Sequence, residues 1–320
     1  MRTALPRGLI IALAVLLGAC AMPQTRALIA GRGAQGLGIR PAHEIADVPY
    51  FAQESDQCGP ATLAMALDAS GLAITPDALR PQVFVPGREG SFAPEMLAAA
   101  RRQGRLAVTL EPTLDAVLRE VDADRPVIVL QNLGLSFFPV WHYALVIGYD
   151  LPHAQVLLHS GPEPRAVMSL ELFERTWSRG GYWAMVADDP SRPPVSPGID
   201  VLLDASAALE RVDAAAARRA YRALLARFPD SFGAWMGAGN TAAAQGDTAS
   251  AVEAFTRASS LDPAQADAWN NLATVLAARG DLAQARTAMD RALALGGPHR
   301  AIYEQTLREI EQAGGTAPGP

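Results

Sequence analysis

The sequence predicts an α+β domain followed by an all-α helical solenoid, and three observations carry that prediction. Helical patterns and then strand-like apolar runs fill the region from 43 to 188. Pro190, Pro193, Pro194 and Pro197 then break the chain, because proline fits neither helix interior nor sheet interior. Beyond that break the chain is alanine-rich and repetitive: Ala217, Ala251 and Ala285 stand 34 residues apart. A length of 320 residues suits about two domains. With half of its residues apolar and 19% charged, the chain is globular and not disordered. A net charge of −6 with no basic cluster argues against nucleic acid as a partner. Every fixed cation is an arginine, since no lysine occurs.

The first residues read as an export signal. Arg2 and Arg7 form a basic start, and Leu9 to Leu17 form an apolar stretch too short to span a bilayer with suitable flanks. Leu17-Gly18-Ala19-Cys20 resembles the lipobox of bacterial lipoproteins. That resemblance implies a signal peptide over 1–19, cleavage before Cys20, and acylation of the Cys20 sulfur and amine. Ala21, standing where an Asp would retain the protein at the inner membrane, favours an outer-membrane anchor facing the periplasm. Residues 20–42 are glycine-rich and aperiodic, and are expected to form a flexible tether.

The first domain is expected over 43–188. Pro60 suits the first turn of a helix that starts near Cys58, and Gly71 supplies its stop. Thr75 opens a short helix, Ser91 is expected to cap one over about Ala93 to Gln103, and Thr113 one reaching about Val121. Leu106, Val108 and Leu110 alternate as a strand, and Val127 to Leu130 reads as a buried one. Val140 to Tyr149 and Gln155 to His159 read as a hairpin. Ser169 opens a helix to about Trp177, and Tyr182 to Ala187 closes the sheet. Residues 189–198 form the linker.

The repeat domain is expected over 199–313. Trp235 pairs with Trp269, Gly246-Asp247 with Gly280-Asp281, and Pro229 with Pro263, each 34 residues on. This pattern resembles tetratricopeptide repeats, with units at about 198–231, 232–265 and 266–299 and a capping helix from Arg300. Trp235 and Trp269 are expected to be partly buried between helices. The tail 314–320 is expected to be disordered.

Only two cysteines occur, Cys20 and Cys58. If Cys20 carries lipid, Cys58 is the one thiol left in an oxidising compartment, where a cysteine without a role tends to be lost. At a helix start it meets unpaired N–H groups and the positive end of the macrodipole, which favour the thiolate. Of the five histidines, His142 begins an apolar strand, where packing explains a polar ring poorly, and Cys with His is the minimal pair for thiol catalysis. Gln53 is placed to donate to an oxyanion at the sulfur, with Gln57 a weaker candidate.

Val48-Pro49-Tyr50-Phe51, Gln53, Cys58-Gly59-Pro60, Leu63-Ala64-Met65 and the later His142-Tyr143, Val146, Gly148-Tyr149-Asp150 resemble the bacteriocin-processing (double-glycine) cysteine peptidases over about 44–188. The resemblance implies a papain-like fold, with Cys58 as nucleophile, His142 as general base and acid, and Gln53 as oxyanion donor. Two departures stand out. Gln53 precedes Cys58 by five residues, one fewer than the pattern. Where the family carries an Asp to orient the histidine, this chain has His159-Ser160-Gly161. A hairpin turning near Leu151 would set His142 opposite Ser160, with His159 beside it. Asp150 would lie at the far end, roughly 20 Å away.

The sequence thus predicts a membrane-anchored periplasmic cysteine peptidase acting on a peptide or protein, with repeats that recruit a protein partner. The alternative is an inactive peptidase-like binding domain acting with the repeats as an adaptor. No cofactor is expected, nor any metal, because no His, Cys or Asp cluster has ligand spacing.

Overall fold

Glu174 shapes the first described residues. Its buried carboxylate accepts hydrogen bonds from the backbone N–H groups of Gln24 and Thr25, at 3.1 and 2.7 Å, and so serves the donors that open α1 (Pro23–Ala27). The Gln24 side chain adds two bonds, donating to the Pro112 carbonyl at 3.0 Å and accepting from the Leu114 N–H at 2.7 Å. A π-helical turn (Leu28–Arg32), α2 (Gly33–Leu37) and β1 (Ala42–Glu44) follow. The expectation of a flexible tether over 20–42 is therefore corrected from Met22 onward. Glycine content marks chain freedom only where nothing tertiary holds the backbone.

The computed structural model describes residues 22–52, 58–85, 87 and 90–315. The predicted signal segment 1–19, Cys20, Gln53 and Gln57 lie outside the described residues. Two units are distinguished, residues 1–97 with 109–186, and residues 98–108 with 187–320.

In the first unit α3 (Cys58–Ala69) is buried from Gly59 to Leu67, so it lies in the core and not on its surface. It ends at Gly71, whose φ of +85° lets the Leu72 N–H reach the Leu67 carbonyl at 3.0 Å. Thr75 caps α4 (Pro76–Val83) by accepting from the Ala78 N–H. β2 (Phe84–Val85) and β3 (Gly90–Ser91) pair with each other. Ser91 lies in that strand, and its Oγ is buried with no partner, so it does not cap α5 (Ala93–Arg102). β4 (Leu106–Thr109) follows, and Thr113 caps α6 (Leu114–Asp122) as the sequence predicts.

β5 (Val127–Asn132), β6 (Trp141–Asp150), β7 (Gln155–Ser160) and β8 (Glu163–Ser169) precede α7 (Leu170–Arg179), capped by Ser169, and β9 (Ala184–Asp188). The sheet has seven strands in the order β4–β9–β5–β6–β7–β8, with β1 added to β6. β8 is missing from the sequence reading because most of it is exposed and its apolar residues do not alternate with polar ones. The β6–β7 register lies two residues further along than predicted: Leu145 faces His159, and a bulge between Val146 and Gly148 shifts it again.

The second unit is a run of paired helices. α8 (Ile199–Glu210) with α9 (Ala214–Arg227), α10 (Phe232–Ala244) with α11 (Thr248–Leu261), and α12 (Ala266–Arg279) with α13 (Leu282–Leu295) form the three predicted units, each helix packing on the next. Asp213, Ser231 and Asp247 cap their helices. The half-buried Trp235 and Trp269 donate their indole N–H to the Pro229 and Pro263 carbonyls at 2.8 and 3.0 Å, the same bond one repeat apart. α14 (Arg300–Gly315) closes the array, so 314 and 315 are helical, and 316–320 lie outside the described residues. The proline-rich linker is irregular but held, with Arg227 donating to the Pro194 and Val195 carbonyls at 2.7 and 2.8 Å. Among the described residues no helix is long and apolar enough to cross a membrane.

Candidate active site

Cys58 is the first residue of α3 and is half-buried. Gly59 beside it has no room for a side chain, because a Cβ there would collide with Ser91. The start of the helix is thereby pressed against β3. One turn on, the fully buried Thr62 donates its hydroxyl to the Tyr143 carbonyl at 3.2 Å. Tyr143 in turn reaches the Ser91 carbonyl with its hydroxyl, at 3.4 Å. Its phenol is pushed well above the ordinary range by burial first, and then by negative charge at Cys58 and Glu95. The first turns of α3 therefore lie against the start of β6, where His142 precedes Tyr143.

His142 is half-buried, and its Nε2 lies 2.9 Å from the Ser160 hydroxyl. Burial holds its pKa below the ordinary histidine value, which favours the neutral ring. Ser160 thus stands as the ring's partner even though the register differs from the predicted one. Gln131 sits directly across from His142 on β5. It is fully buried, with its Nε2 donating to Thr176 Oγ1 at 2.7 Å and its Oε1 without a partner.

His159 does something else. Its Nε2 lies 3.1 Å from the Val48 carbonyl, an acceptor only, and its ring meets Tyr50 edge-on at 5.4 Å between centroids. Tyr50 donates to the Gly161 carbonyl at 2.8 Å. His159 therefore anchors the segment leading toward Cys58, and it does not orient His142. The role foreseen for Gln53 falls on a residue outside the described ones. Asp150 is bonded to His153 at 2.8 Å, at the opposite end of β6 from His142. His43 and His299 pair with Asp124 and Asp267. Among the described residues no group of three His, Cys, Asp or Glu could hold a metal.

Thr62 and Gln131 are absent from the sequence reading. Each left a faint mark, Thr62 as a lone polar residue in an apolar run four positions after Cys58 and Gln131 as the first polar residue after Val127 to Leu130.

Residues 45–184 match the Peptidase_C39 like family, and residues 202–258 and 237–299 match the tetratricopeptide repeat. The chain joins a C39-like peptidase domain to tetratricopeptide repeats. Similar solved structures include a protein described as a C39-like peptidase from Bacillus anthracis, 18% identical, with 45% of this chain and 96% of that chain covered and a TM-score of 0.40. The peptidase domain of Streptococcus ComA, a bifunctional ABC transporter of a quorum-sensing pathway, is 22% identical, with 43% and 96% covered and a TM-score of 0.36. No curated protein matches the chain.

Proposed function

We propose that the first domain is a cysteine peptidase, that Cys20 anchors it to the outer membrane on the periplasmic side, and that the repeats recruit a protein partner. The observation that carries the catalytic reading is the bond from His142 Nε2 to the Ser160 hydroxyl, on the strand against which the Cys58 helix starts. With Ser160 accepting from Nε2–H, the lone pair of Nδ1 is left to take a proton from the thiol. The Cys58 sulfur then attacks the peptide carbonyl carbon, and His142 returns the proton to the leaving amine as the C–N bond breaks. Water, deprotonated by the same ring, adds to the thioester; the acid leaves and the thiol reforms. Gln53 is assigned the oxyanion bond by resemblance.

A second reading, a peptide-binding domain without turnover, is favoured by one observation: a neutral hydroxyl stands where the family pattern has a carboxylate. Iodoacetamide separates the two. An activated pair labels Cys58 at about pH 6, well below the ordinary thiol pKa near 8.5, and His142→Ala removes that reactivity. Labelling confined to about pH 8 and above would leave only the binding reading. Mass spectrometry of the mature N-terminus tests the anchor, and an unmodified Cys20 would remove it.

A further inference from the structure

The link from β5 to β6 is a built finger. Asn132, buried at its base, accepts from the Gly134 and Val140 N–H groups at 3.0 and 2.9 Å and donates to the Leu135 carbonyl. Leu135 and Phe138 exchange backbone bonds at 3.1 Å around a two-residue tip, and a side chain at Gly134 would collide with the Phe138 carbonyl. The outer surface of this pinned hairpin is apolar and unburied. Phe137 and Phe138 are 72% and 74% exposed, and Leu135, Val140 and Trp141 are more than half exposed. The two phenyl rings alone leave roughly 200–350 Å² bare, since an aromatic side chain offers about 150–250 Å². That approaches the largest patch usual on a monomer before the other three residues are added. From Pro126 to Tyr149 no residue carries a fixed charge.

We infer that this finger binds the apolar side chains of the peptide substrate and sets the specificity of the site; the inference rests on the peptidase reading above. Two observations select that occupant. The base of the finger, Asn132 opposite Trp141, is the register position next to Gln131 opposite His142, so the finger starts beside the imidazole, and the absence of charge favours apolar over ionic side chains. A bilayer is the competing occupant, but the folded N-terminal segment attaches at the other end of β6. There β1 pairs with 148–150 and the Leu151 N–H reaches the Pro41 carbonyl at 3.0 Å. The strand between spans about 30 Å at 3.3 Å per residue. Thr25 donates to the Leu170 carbonyl at 3.3 Å, and the Leu170 N–H reaches the Ala154 carbonyl at that same end, so an anchor at Cys20, five residues before Thr25, would hold that end to the membrane.

The test is fluorescence polarisation on the full chain carrying Cys58→Ser, so that binding is read without turnover. The probes are fluorescein-labelled peptides differing only in whether Leu and Phe or Ser and Gln occupy alternate positions. The apolar peptide should bind at least about tenfold more tightly, and Phe137→Ser with Phe138→Ser should erase the difference. Leu172→Ser, an exposed apolar residue on α7, should leave it unchanged. Equal binding of both peptides, or a preference that survives the double change, overturns the inference. So does finger-dependent binding to phosphatidylethanolamine–phosphatidylglycerol vesicles without peptide binding, or finger-dependent self-association in sedimentation. Apolar peptide bound but never cleaved by the unsubstituted chain would sink the peptidase reading and leave the finger's role standing. Cleavage with no apolar preference would do the reverse.

Discussion

Ser160→Asp places a carboxylate where a hydroxyl now lies 2.9 Å from His142 Nε2. An opposite charge at that range raises a histidine pKa by about 1–3 units in general. Both residues are half-buried, so part of that effect is screened, and part is spent desolvating the new carboxylate. A rise of about 1–2 units remains, worth about 1.4–2.7 kcal/mol. That exceeds the ordinary worth of one neutral hydrogen bond, about 0.5–1.5 kcal/mol, which is what Ser160→Ala removes. The assay is the second-order rate of Cys58 alkylation against pH. Ser160→Asp should carry more of the pair as thiolate–imidazolium and raise the rate near pH 6 by about tenfold or more, while Ser160→Ala should lower it by up to about tenfold. The pH dependence of stability should weaken as well. In the natural chain burial lowers the folded pKa of His142, so its contribution is present above about pH 6.5 and is lost as pH falls through the folded value. With Asp at 160 the carboxylate opposes that lowering, so less stability should be lost as pH falls. Identical alkylation profiles for all three proteins would refute the argument. So would an equal effect of Ser160→Asp in a His142→Ala background, because the coupling must vanish when the ring is gone.

Two predictions concern the repeats. Gly239→Ala should gain up to about 1 kcal/mol of helix propensity, but its Cβ would stand 2.5 Å from a carbon of the buried Phe255 ring. Overpacking costs about 1–3 kcal/mol and should win, so thermal unfolding should move to lower temperature, and a rise would show the ring free to yield. Asp267 ties the closing helix to α12, accepting from Tyr303 at 2.6 Å and lying 2.9 Å from His299 Nδ1. Burial opposes ionisation of Asp267, but the bonds from Tyr303 and His299 outweigh it and hold its pKa below the usual carboxylate value. Its contribution is therefore present above the unfolded value near 3.9 and lost as pH falls through the folded one. Burial and Asp267 together push the Tyr303 phenol up to about 12. Asp267→Asn should bring that absorbance titration down toward 10 and speed amide exchange across 300–315. An unmoved titration would contradict the clamp.

What the sequence determined by itself was mostly local or periodic. The interval of 34 residues placed six repeat helices, because each unit repeats the same packing on its neighbour. Thr75, Thr113 and Ser169 marked three helix starts, since a cap bonds to a backbone group three residues on. Cys58 at a helix start and His142 at a strand start were legible for the same reason. Tertiary structure decided what depends on partners far along the chain. Glu174, about 150 residues from Gln24 and Thr25, folds a segment whose glycines suggest freedom. A bulge after Val146 moves the register, and Ser160, not His159, meets the imidazole. His159 instead turns to Val48, 111 residues away, and holds the approach to Cys58. Side-chain hydrogen bonds across such separations have no period and no spacing in sequence, so only the folded chain chooses among them.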